Sequence, residues 1–248
     1  MATVVRLDSV DSTQNVAREL AADGAPHGLV VRAEQQTAGR GRLSRRWESA
    51  PGDGLLFSII LRPGGPRPPM LLRDAPLVTL GAAAGMAAAL RVEVKWPNDL
   101  VVNAVISGPV SIPGSGPGSG TASAWRKLGG LLGELETMTG PDGSVGVRHI
   151  VLGVGLNVLQ RGFPADLPSA TSLWIERGET DREAVFTRVV DAILEWHDHP
   201  QRLDLWRAHS HTLGKRVRVG SHEGVATGIA DDGAILIDGQ PVHVGEIG

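Results

Sequence analysis

A short basic segment carries the strongest chemical signal in this sequence. The residues from Gly39 to Trp47 include four arginines within seven positions, two glycines and a closing tryptophan. Guanidinium groups bind phosphate oxygens in pairs and stay charged, and glycine lets the backbone come close to a ligand. A loop of this composition could close over a triphosphate or an adenylate. A solvated basic turn is the alternative, and the spacing alone does not decide between the two.

Lys95 is the second candidate, because it ends a predicted strand just before the rigid turn Trp96-Pro-Asn-Asp99. An ammonium group held there would offset negative charge on a phosphoryl or carboxylate oxygen without reacting itself. A simple strand-end turn is the alternative.

Glycines inside two further predicted strands, residues 127–130 and 153–157, indicate a close approach of backbone or ligand, or tight packing alone. Residues 11–15 place hydroxyl and amide groups at a helix start, where they cap the helix or also bind a polar ligand.

Several common reaction types are excluded by residues that the chain lacks. It has no cysteine, which rules out thiol nucleophiles, thiolate zinc sites and disulfides. It has no phosphate-binding Gly-x-x-x-x-Gly-Lys-Ser/Thr loop, complete dinucleotide fingerprint or Gly-x-Ser-x-Gly elbow. The two His-x-His pairs, His197/His199 and His209/His211, are expected to be surface histidines, and no protein metal site is predicted. With 24 Lys plus Arg against 27 Asp plus Glu, the net charge of −3 is too near neutral for general polyanion binding.

The apolar patterning predicts alternating strands and helices, which indicates an α+β (mixed α/β) class. Strands are predicted at the N-terminus, from Val30, and over residues 55–61, 92–96, 100–102, 127–136 and 149–158. Helices are predicted over residues 11–21, 71–90 and 180–197, the last with a capping box of Thr180 and Glu183.

Two domains are expected, a catalytic domain over residues 1–212 and a small β module over residues 213–248. The module has four short β segments joined by turns, as in a small β-barrel, and its size requires support from the larger domain. Residues 107–124, rich in Gly, Ser and Pro, are predicted to form a surface loop. The uncharged run over residues 75–90 is too short and Ala-rich for a membrane span, and no secretion signal is recognised, so the cytoplasm is the expected location.

Taken together and in this order, these features resemble the biotin protein ligase family, also called biotin–[carboxyl-carrier protein] ligases, in the form without an N-terminal DNA-binding domain. The matching stretches are residues 11–14, 34–47, 95–100, 127–134 and 153–158, and the terminal β module also fits. The resemblance implies a class II synthetase-like catalytic domain followed by a small SH3-like β-barrel. It implies no contact with DNA or membrane, and the expected state is a monomer or a weak homodimer.

The resemblance also implies a ligase reaction in two steps. Biotin and MgATP give biotinyl-5′-adenylate, and the biotinyl group then passes to a specific lysine of a biotin carboxyl carrier protein or of a carboxylase acceptor domain. The enzyme needs no nucleophile of its own, because the biotin carboxylate attacks the α-phosphate and the protein only positions the reactants and offsets charge. ATP and biotin are therefore the expected substrates, with Mg2+ accompanying ATP.

The roles carry over residue by residue where the motifs match. Lys95 and Arg42 are the expected catalytic residues, offsetting charge near the biotin carboxylate and the α-phosphate. The expected biotin contacts are Ser12, Thr13, Gln14, Gln36, Arg40, Gly41, Arg42, Lys95 and Gly130. The expected ATP and adenylate contacts are Arg40, Arg42, Trp47, Lys95, Gly153, Gly155 and Asn157, with Trp47 against the adenine.

The sequence departs from the family pattern at two points in the site. Gln14 stands where the family usually has Asn, and Asn15 follows it, so either amide could face the ligand. Gly129 stands where Ala is usual.

The rival functions are a lipoate–protein ligase, which shares the adenylate chemistry, and a non-catalytic protein that senses biotin or binds RNA through the arginine loop. Salt-sensitive binding would mark the RNA alternative.

Overall fold

The computed structural model describes residues 2–63, 70–104, 124–140 and 142–247. The predicted Gly/Ser/Pro loop over residues 107–124 lies outside the described residues, apart from Ala124 at the start of a strand. Within the described ranges, strands and helices follow each other in the predicted order.

A seven-stranded sheet forms the centre of the fold. Its strands are β1 (Val4–Val10), β2 (Val30–Gln36), β3 (Gly54–Leu61), β4 (Glu93–Lys95), β5 (Asp99–Ala104), β6 (Ala124–Thr139) and β7 (Val145–Asn157). They lie in the order β1-β2-β3-β7-β6-β5-β4. β1 and β2 run parallel, whereas the other neighbours are antiparallel. The strands predicted before residue 212 are present, which confirms the mixed α/β class.

A β-bulge in β6 changes which side chains share a face of the sheet. Gly129 pairs with Leu100 of β5 and Lys127 pairs with Val101, so that Leu128 is an extra residue in β6. Strict alternation would put Lys127 and the second glycine, Gly130, on opposite faces, and the extra residue brings them to the same face. A Cβ atom placed on Gly130 would lie 3.6 Å from the Lys127 ammonium.

Five helices are described: α1 (Thr13–Ala22), α2 (Ala75–Leu90), α3 (Leu173–Arg177), α4 (Arg182–Trp196) and α5 (Arg202–Ala208). α2 is almost wholly buried, as its Ala-rich sequence predicts, and Pro76 lies in its first turn. Gly81 lets α4 approach α2 closely, because a Cβ atom there would lie 2.3 Å from the carbonyl oxygen of Trp196. In the described ranges, no helix is long and apolar enough to cross a membrane.

The start of α4 differs from the prediction. Asp181 caps the helix, accepting a hydrogen bond of 2.9 Å from the backbone N–H three residues later. The predicted capping box of Thr180 and Glu183 is wrong, because the Glu183 carboxylate accepts hydrogen bonds of 2.6 and 2.9 Å from Arg32. Arg32 is 1% exposed, and a buried guanidinium without a carboxylate partner would be strongly destabilising.

A second sheet follows the helices. Its strands are β8 (Arg216–Val219), β9 (His222–Ile229), β10 (Ile235–Ile237) and β11 (Gln240–Val242), in the order β11-β10-β9-β8 and antiparallel throughout. The four predicted β segments are thus present. In the described part of the chain β8 and β11 do not pair with each other, so the sheet is open. A bridge between Val219 and Ile247 extends it beyond β8.

The second sheet shares one hydrophobic core with the larger part of the fold. Val217, Ile235 and Val242 belong to the same buried cluster as residues of α2 and β3. Trp96, in the turn between β4 and β5, donates its indole N–H to the carbonyl oxygen of Gly233 at 3.2 Å. The second sheet therefore packs against the larger part of the fold, and the dependence of the small module on it stays a prediction.

Two of the four histidines expected at the surface are buried. His197 is 3% exposed and His211 is 5% exposed. His211 donates its backbone N–H to the carbonyl oxygen of Val94, because the chain after α5 runs beside the edge strand β4. The imidazole of His211 lies 2.7 Å from the Glu93 carboxylate. The expectation was wrong because local sequence does not show that His211 packs beside β4, or that the His197 ring lies against that of His27.

Candidate functional site

One cavity collects residues from the predicted motifs. It lies between the start of α1, the loop of residues 39–47, and the strands β5, β6 and β7. The predicted residues in its lining are Ser12, Thr13, Gln14, Gln36, Arg40, Gly41, Arg42, Trp47, Gly130, Gly153, Gly155 and Asn157. Among the predicted site residues, all of which the structure describes, Lys95 is the one that lies outside this lining.

The start of α1 forms a polar wall of the cavity. Gln36 accepts hydrogen bonds from the backbone N–H and the hydroxyl of Thr13, at 2.7 and 3.0 Å. The Thr13 hydroxyl also lies 2.9 Å from that of Ser58. Ser12 occupies the N-cap position, yet its hydroxyl makes no capping hydrogen bond within the described chain. Because Ser12 is 2% exposed and its hydroxyl does not cap the helix, this group is available to a polar ligand.

Gln14, and not Asn15, faces the cavity. The Gln14 amide donates to the carbonyl oxygen of Leu132 at 3.1 Å, and its side chain passes over Gly153. A Cβ atom on Gly153 would lie 2.8 Å from Gln14 Cδ, so glycine is required at this approach. Asn15 instead donates to the Asp11 carboxylate at 2.5 Å on the surface, which lowers the pKa of Asp11.

The loop of residues 39–47 folds back on itself as a short hairpin. Arg40 and Arg46 form an antiparallel bridge, and the backbone N–H of Trp47 donates to the carbonyl oxygen of Gly39 at 3.0 Å. A Cβ atom on Gly39 would lie 2.3 Å from the carbonyl oxygen of Trp47. The glycine therefore lets the two sides of the loop meet.

The arginines of the loop form a cationic rim. Arg40 lies 3.2 Å from the Glu134 carboxylate on β6, and both side chains remain about one-third exposed. Arg42 donates to the side-chain oxygen of Asn98 at 3.2 Å. Each guanidinium has five N–H donors, so these contacts leave donors that a phosphate could use.

The Trp47 indole packs against the backbone of β7. A Cβ atom on Gly155 would lie 2.4 Å from Trp47 Cε2, so the ring occupies the space that any side chain would need. Within the described residues, the buried indole N–H has no hydrogen-bond partner. Gly129 on β6 is equally confined, because its Cβ would lie 2.7 Å from the Gly155 carbonyl oxygen. The alanine usual in the family at this position would need a local shift here.

Two lysines lie near the cavity, and their ammonium groups face different surroundings. Lys127 lines the cavity, with its Nζ atom 2.7 Å from the Asp99 carboxylate. Lys95 donates to the carbonyl oxygen of Ile247 at 2.6 Å, and its Nζ lies 4.2 Å from the centre of the Trp125 ring. Burial lowers the pKa of Lys95, and the charge of Asp99 opposes that shift. Lys127 is thus the lysine directed at the cavity.

Sequence reasoning missed Lys127, Asn98 and Asp99 as lining residues, although it singled out the motifs that contain them. The available signal for Lys127 was a basic residue two positions before a pair of glycines in a strand. Asn157 lines the cavity as expected, but its amide donates to the carbonyl oxygen of Thr171 at 3.0 Å. Within the described ranges, no group of three or more His, Asp or Glu side chains could hold a metal ion.

A family model and individual related proteins point to the same family. A family model described as the biotin/lipoate A/B protein ligase family matches residues 7–157. The bifunctional ligase/repressor BirA of Bacillus spizizenii is 34% identical over 254 residues, which cover 94% of this chain and 68% of that protein. The biotin–[acetyl-CoA-carboxylase] ligase of Mycobacterium tuberculosis is 32% identical over 263 residues, covering 94% of this chain and 83% of that protein.

Solved structures agree with the sequence matches. The biotin protein ligase of Aquifex aeolicus in complex with biotin and ATP superposes with a TM-score of 0.69 at 25% identity, covering 100% of this chain and 98% of that one. The family model spans more than half of the chain, and relatives above 30% identity span nearly all of it. The chain therefore belongs to the biotin/lipoate A/B protein ligase family.

Proposed function

We propose that this protein is an ATP-dependent biotin ligase, which activates biotin as biotinyl-5′-adenylate and transfers it to a specific lysine of a biotin carboxyl carrier protein. One observation carries the proposal: a single cavity has an uncharged wall of hydroxyl and amide groups at one side and a cationic rim at the other. Biotin needs the first for its neutral ring, and a triphosphate needs the second. The Aquifex aeolicus ligase, whose structure contains biotin and ATP, supports both substrates by similarity.

The proposed biotin contacts are Ser12, Thr13, Gln14 and Gln36. The ureido ring of biotin has one carbonyl acceptor and two N–H donors, and hydroxyl and amide groups can meet both needs. Gln14 is the proposed amide in place of Asn15, because its side chain is buried at the cavity wall. Gly41 and Gly130 are proposed to let the backbone come close to the ligand.

In the proposed first step, a biotin carboxylate oxygen bonds to the α-phosphorus, and the bond from that phosphorus to the pyrophosphate oxygen breaks. Arg40, Arg42 and Lys127 are proposed to offset the charge that gathers on the phosphate oxygens. Lys127 replaces Lys95 as the first choice, because its ammonium lies at the cavity wall. Lys95 remains in the proposal as a further cation, available once its contact with Ile247 opens. Mg2+ enters with ATP as part of the substrate.

The proposed adenine contact is the Trp47 ring, with Gly153, Gly155 and Asn157 around the adenylate. Two observations support this part of the proposal: the Trp47 indole N–H has no hydrogen-bond partner within the described residues, and Gly155 has no side chain beside the ring. Aromatic rings attract bases by stacking, and glycine allows the close approach that stacking needs.

In the proposed second step, the acceptor lysine amine attacks the carbonyl carbon of the adenylate. AMP leaves with the bonding electrons and the new amide loses a proton. We propose residues 1–212 as a class II synthetase-like catalytic domain and residues 213–248 as an SH3-like module, and the bridge that brings the chain after β11 back to β8, between Ile247 and Val219, supports the second assignment. A monomer or weak homodimer, with the acceptor domain of a carboxylase as partner, completes the proposal. The Mycobacterium tuberculosis relative, named for acetyl-CoA carboxylase, supports that acceptor class.

The test is transfer itself. The purified protein is incubated with biotin, MgATP and a biotin-acceptor domain, and mass spectrometry follows the acceptor lysine. Biotin-dependent labelling is expected, with none when lipoate replaces biotin or when the acceptor lysine is changed to arginine. Labelling with lipoate instead would assign the lipoate branch of the family. Failure of both transfer and biotin-dependent pyrophosphate release would refute ligase activity and favour a binding protein.

A further inference from the structure

Residues 245–247, which follow β11, lie at the cationic rim of the cavity. Glu246 lines the cavity and forms an ion pair with Arg45. Arg42 donates to the carbonyl oxygen of Gly245 at 3.0 Å, and Lys95 donates to that of Ile247 at 2.6 Å. Three consecutive residues therefore present oxygen acceptors to three cations.

These contacts occupy donors that a polyphosphate would use. Guanidinium and ammonium groups bind phosphate oxygens with the same N–H donors that they offer to carboxylate and carbonyl oxygens. Lys95 is 9% exposed, so in this arrangement it has little surface left for a second anion. A carboxylate inside an anion-binding cavity lowers the affinity for a further anion by repulsion as well as by occupation.

The segment is held by polar contacts and by one apolar side chain, because Ile247 is partly buried against the hydrophobic core. The preceding Val244 is 80% exposed, and Gly245 has φ +143°, a conformation that favours glycine and turns the chain towards the cavity. The bridge between Val219 and Ile247 is its backbone pairing in the described chain. The Arg45 and Glu246 side chains are 58% and 31% exposed, and ion pairs with such exposure are weak. An anion of higher charge could therefore compete with Glu246 for Arg45.

We propose that residues 245–247 compete with the polyphosphate of ATP for the cations at the cavity rim, with Glu246 as the competing anion. This inference rests on the proposed nucleotide-dependent function. The segment leaves when ATP binds, which frees Arg42, Arg45 and Lys95 for the phosphates. Without nucleotide it keeps the cations paired.

The first test measures the binding of inorganic triphosphate and of ATP by calorimetry to the unaltered chain and to Glu246→Gln. The variant is expected to bind both about fivefold more tightly at low salt, as loss of an exposed ion pair implies. The gain should vanish near 1 M salt, where the Debye length is about 3 Å. Glu223→Gln is the matched control, because Glu223 also forms an ion pair with an arginine, Arg216 in the second sheet, but lies outside the cavity lining.

The second test fixes the segment in place. The chain has no cysteine, and Val219 and Ile247 are partners in an antiparallel bridge. Such partners generally have Cα atoms about 4.5–5.5 Å apart, which a disulfide can span. The oxidised double variant Val219→Cys/Ile247→Cys is expected to bind triphosphate at least about tenfold more weakly than the reduced double variant does. The reduced protein carries the same substitutions and is its own control.

Unchanged or weaker binding by Glu246→Gln would overturn the proposal, and weaker binding would make Glu246 part of the nucleotide site. Equal affinity of the oxidised and reduced double variant would also overturn it. If neither the unaltered chain nor the variant binds ATP or triphosphate, no ligand exists for Glu246 to compete with, and the inference fails. Biotin transfer by the unaltered chain then shows separately whether the proposed function fails too.

Discussion

At the scale of single residues, the cavity depends on which side chains point into it and which positions have none. Lys127 reaches the cavity beside Asp99, whereas the ammonium of Lys95 is turned to the carbonyl oxygen of Ile247. Glycines matter just as much, because the Trp47 ring and the Gln14 side chain fill the space beside Gly155 and Gly153. The site therefore depends both on where charged groups lie and on glycines that let side chains pack against the backbone.

Lys127→Met should lose biotin-dependent pyrophosphate release by about 100-fold or more, the usual effect of removing a preorganised charge from a reaction centre. Lys95→Met, the paired variant, should lose less, because its ammonium faces Ile247. Circular dichroism spectra should show both variants folded. A greater loss in Lys95→Met would return Lys95 to the first position that the family resemblance implies.

Gly155→Ala should displace the Trp47 ring, because the new methyl group would lie 2.4 Å from Cε2. If that ring stacks on adenine, ATP should bind about tenfold more weakly, consistent with the value of one base–aromatic stack. Calorimetric titration with ATP measures this change. Gly162→Ala is the control, since its Cβ would meet no described atom within 4 Å. Unaltered ATP affinity in Gly155→Ala would remove Trp47 from the nucleotide site.

At the scale of elements, β6 and α4 show how tertiary contacts adjust local patterns. The extra residue Leu128 in β6 brings Lys127 and Gly130 to one face. In α4, the Glu183 side chain pairs with the buried Arg32 of β2, which leaves the helix cap to Asp181. In both elements, a contact with a neighbouring strand decides the role of a side chain.

Asp181→Ala should lower the free energy of unfolding by about 1 kcal/mol, the typical value of a helix N-cap. Thr180→Ala should leave it nearly unchanged, because Thr180 is exposed and does not cap the helix. Urea denaturation of both variants provides the measurement. Equal destabilisation by the two substitutions would contradict the assignment of the cap.

At the scale of the whole molecule, the two sheets are joined through one buried cluster and through charged groups at their junction. His211 lies in this junction, facing Glu93 on β4, Lys215, the ring of Trp125 and the charge of Lys95. Burial lowers the pKa of His211 below its ordinary value of 6.5, although the Glu93 carboxylate opposes the shift. The folded protein therefore favours the neutral imidazole.

This shift predicts a pH dependence of stability. Below pH 6.5 the unfolded chain binds a proton at His211 more readily than the folded chain does, so the stability falls as the pH falls. Burial lowers the pKa of His27 and His149 in the same direction. Urea denaturation should give a free energy of unfolding that declines as the pH falls below the unfolded histidine pKa. His211→Gln should make that decline shallower, and an unchanged slope would exclude His211 as a contributor.

Much of this molecule followed from its sequence. Apolar periodicity predicted the strands of both sheets and the helices α1, α2 and α4, because burial selects the same side-chain spacing wherever such elements pack. The arginine loop, the polar start of α1 and the glycine-containing strands also indicated a site for a polar, phosphorylated ligand. Each of these signals lies within a short stretch of sequence, so it can be recognised without the tertiary structure.

Contacts between distant segments were decided only by the tertiary structure. Alternation in β6 could not show that Leu128 is an extra residue, and so could not assign Lys127 to the cavity. Residue types could not show that Glu183 serves Arg32, that His211 is buried, or that Glu246 returns to the arginine loop. A side chain takes its role from the neighbours that desolvate and pair with it, and those neighbours come together only when the chain folds.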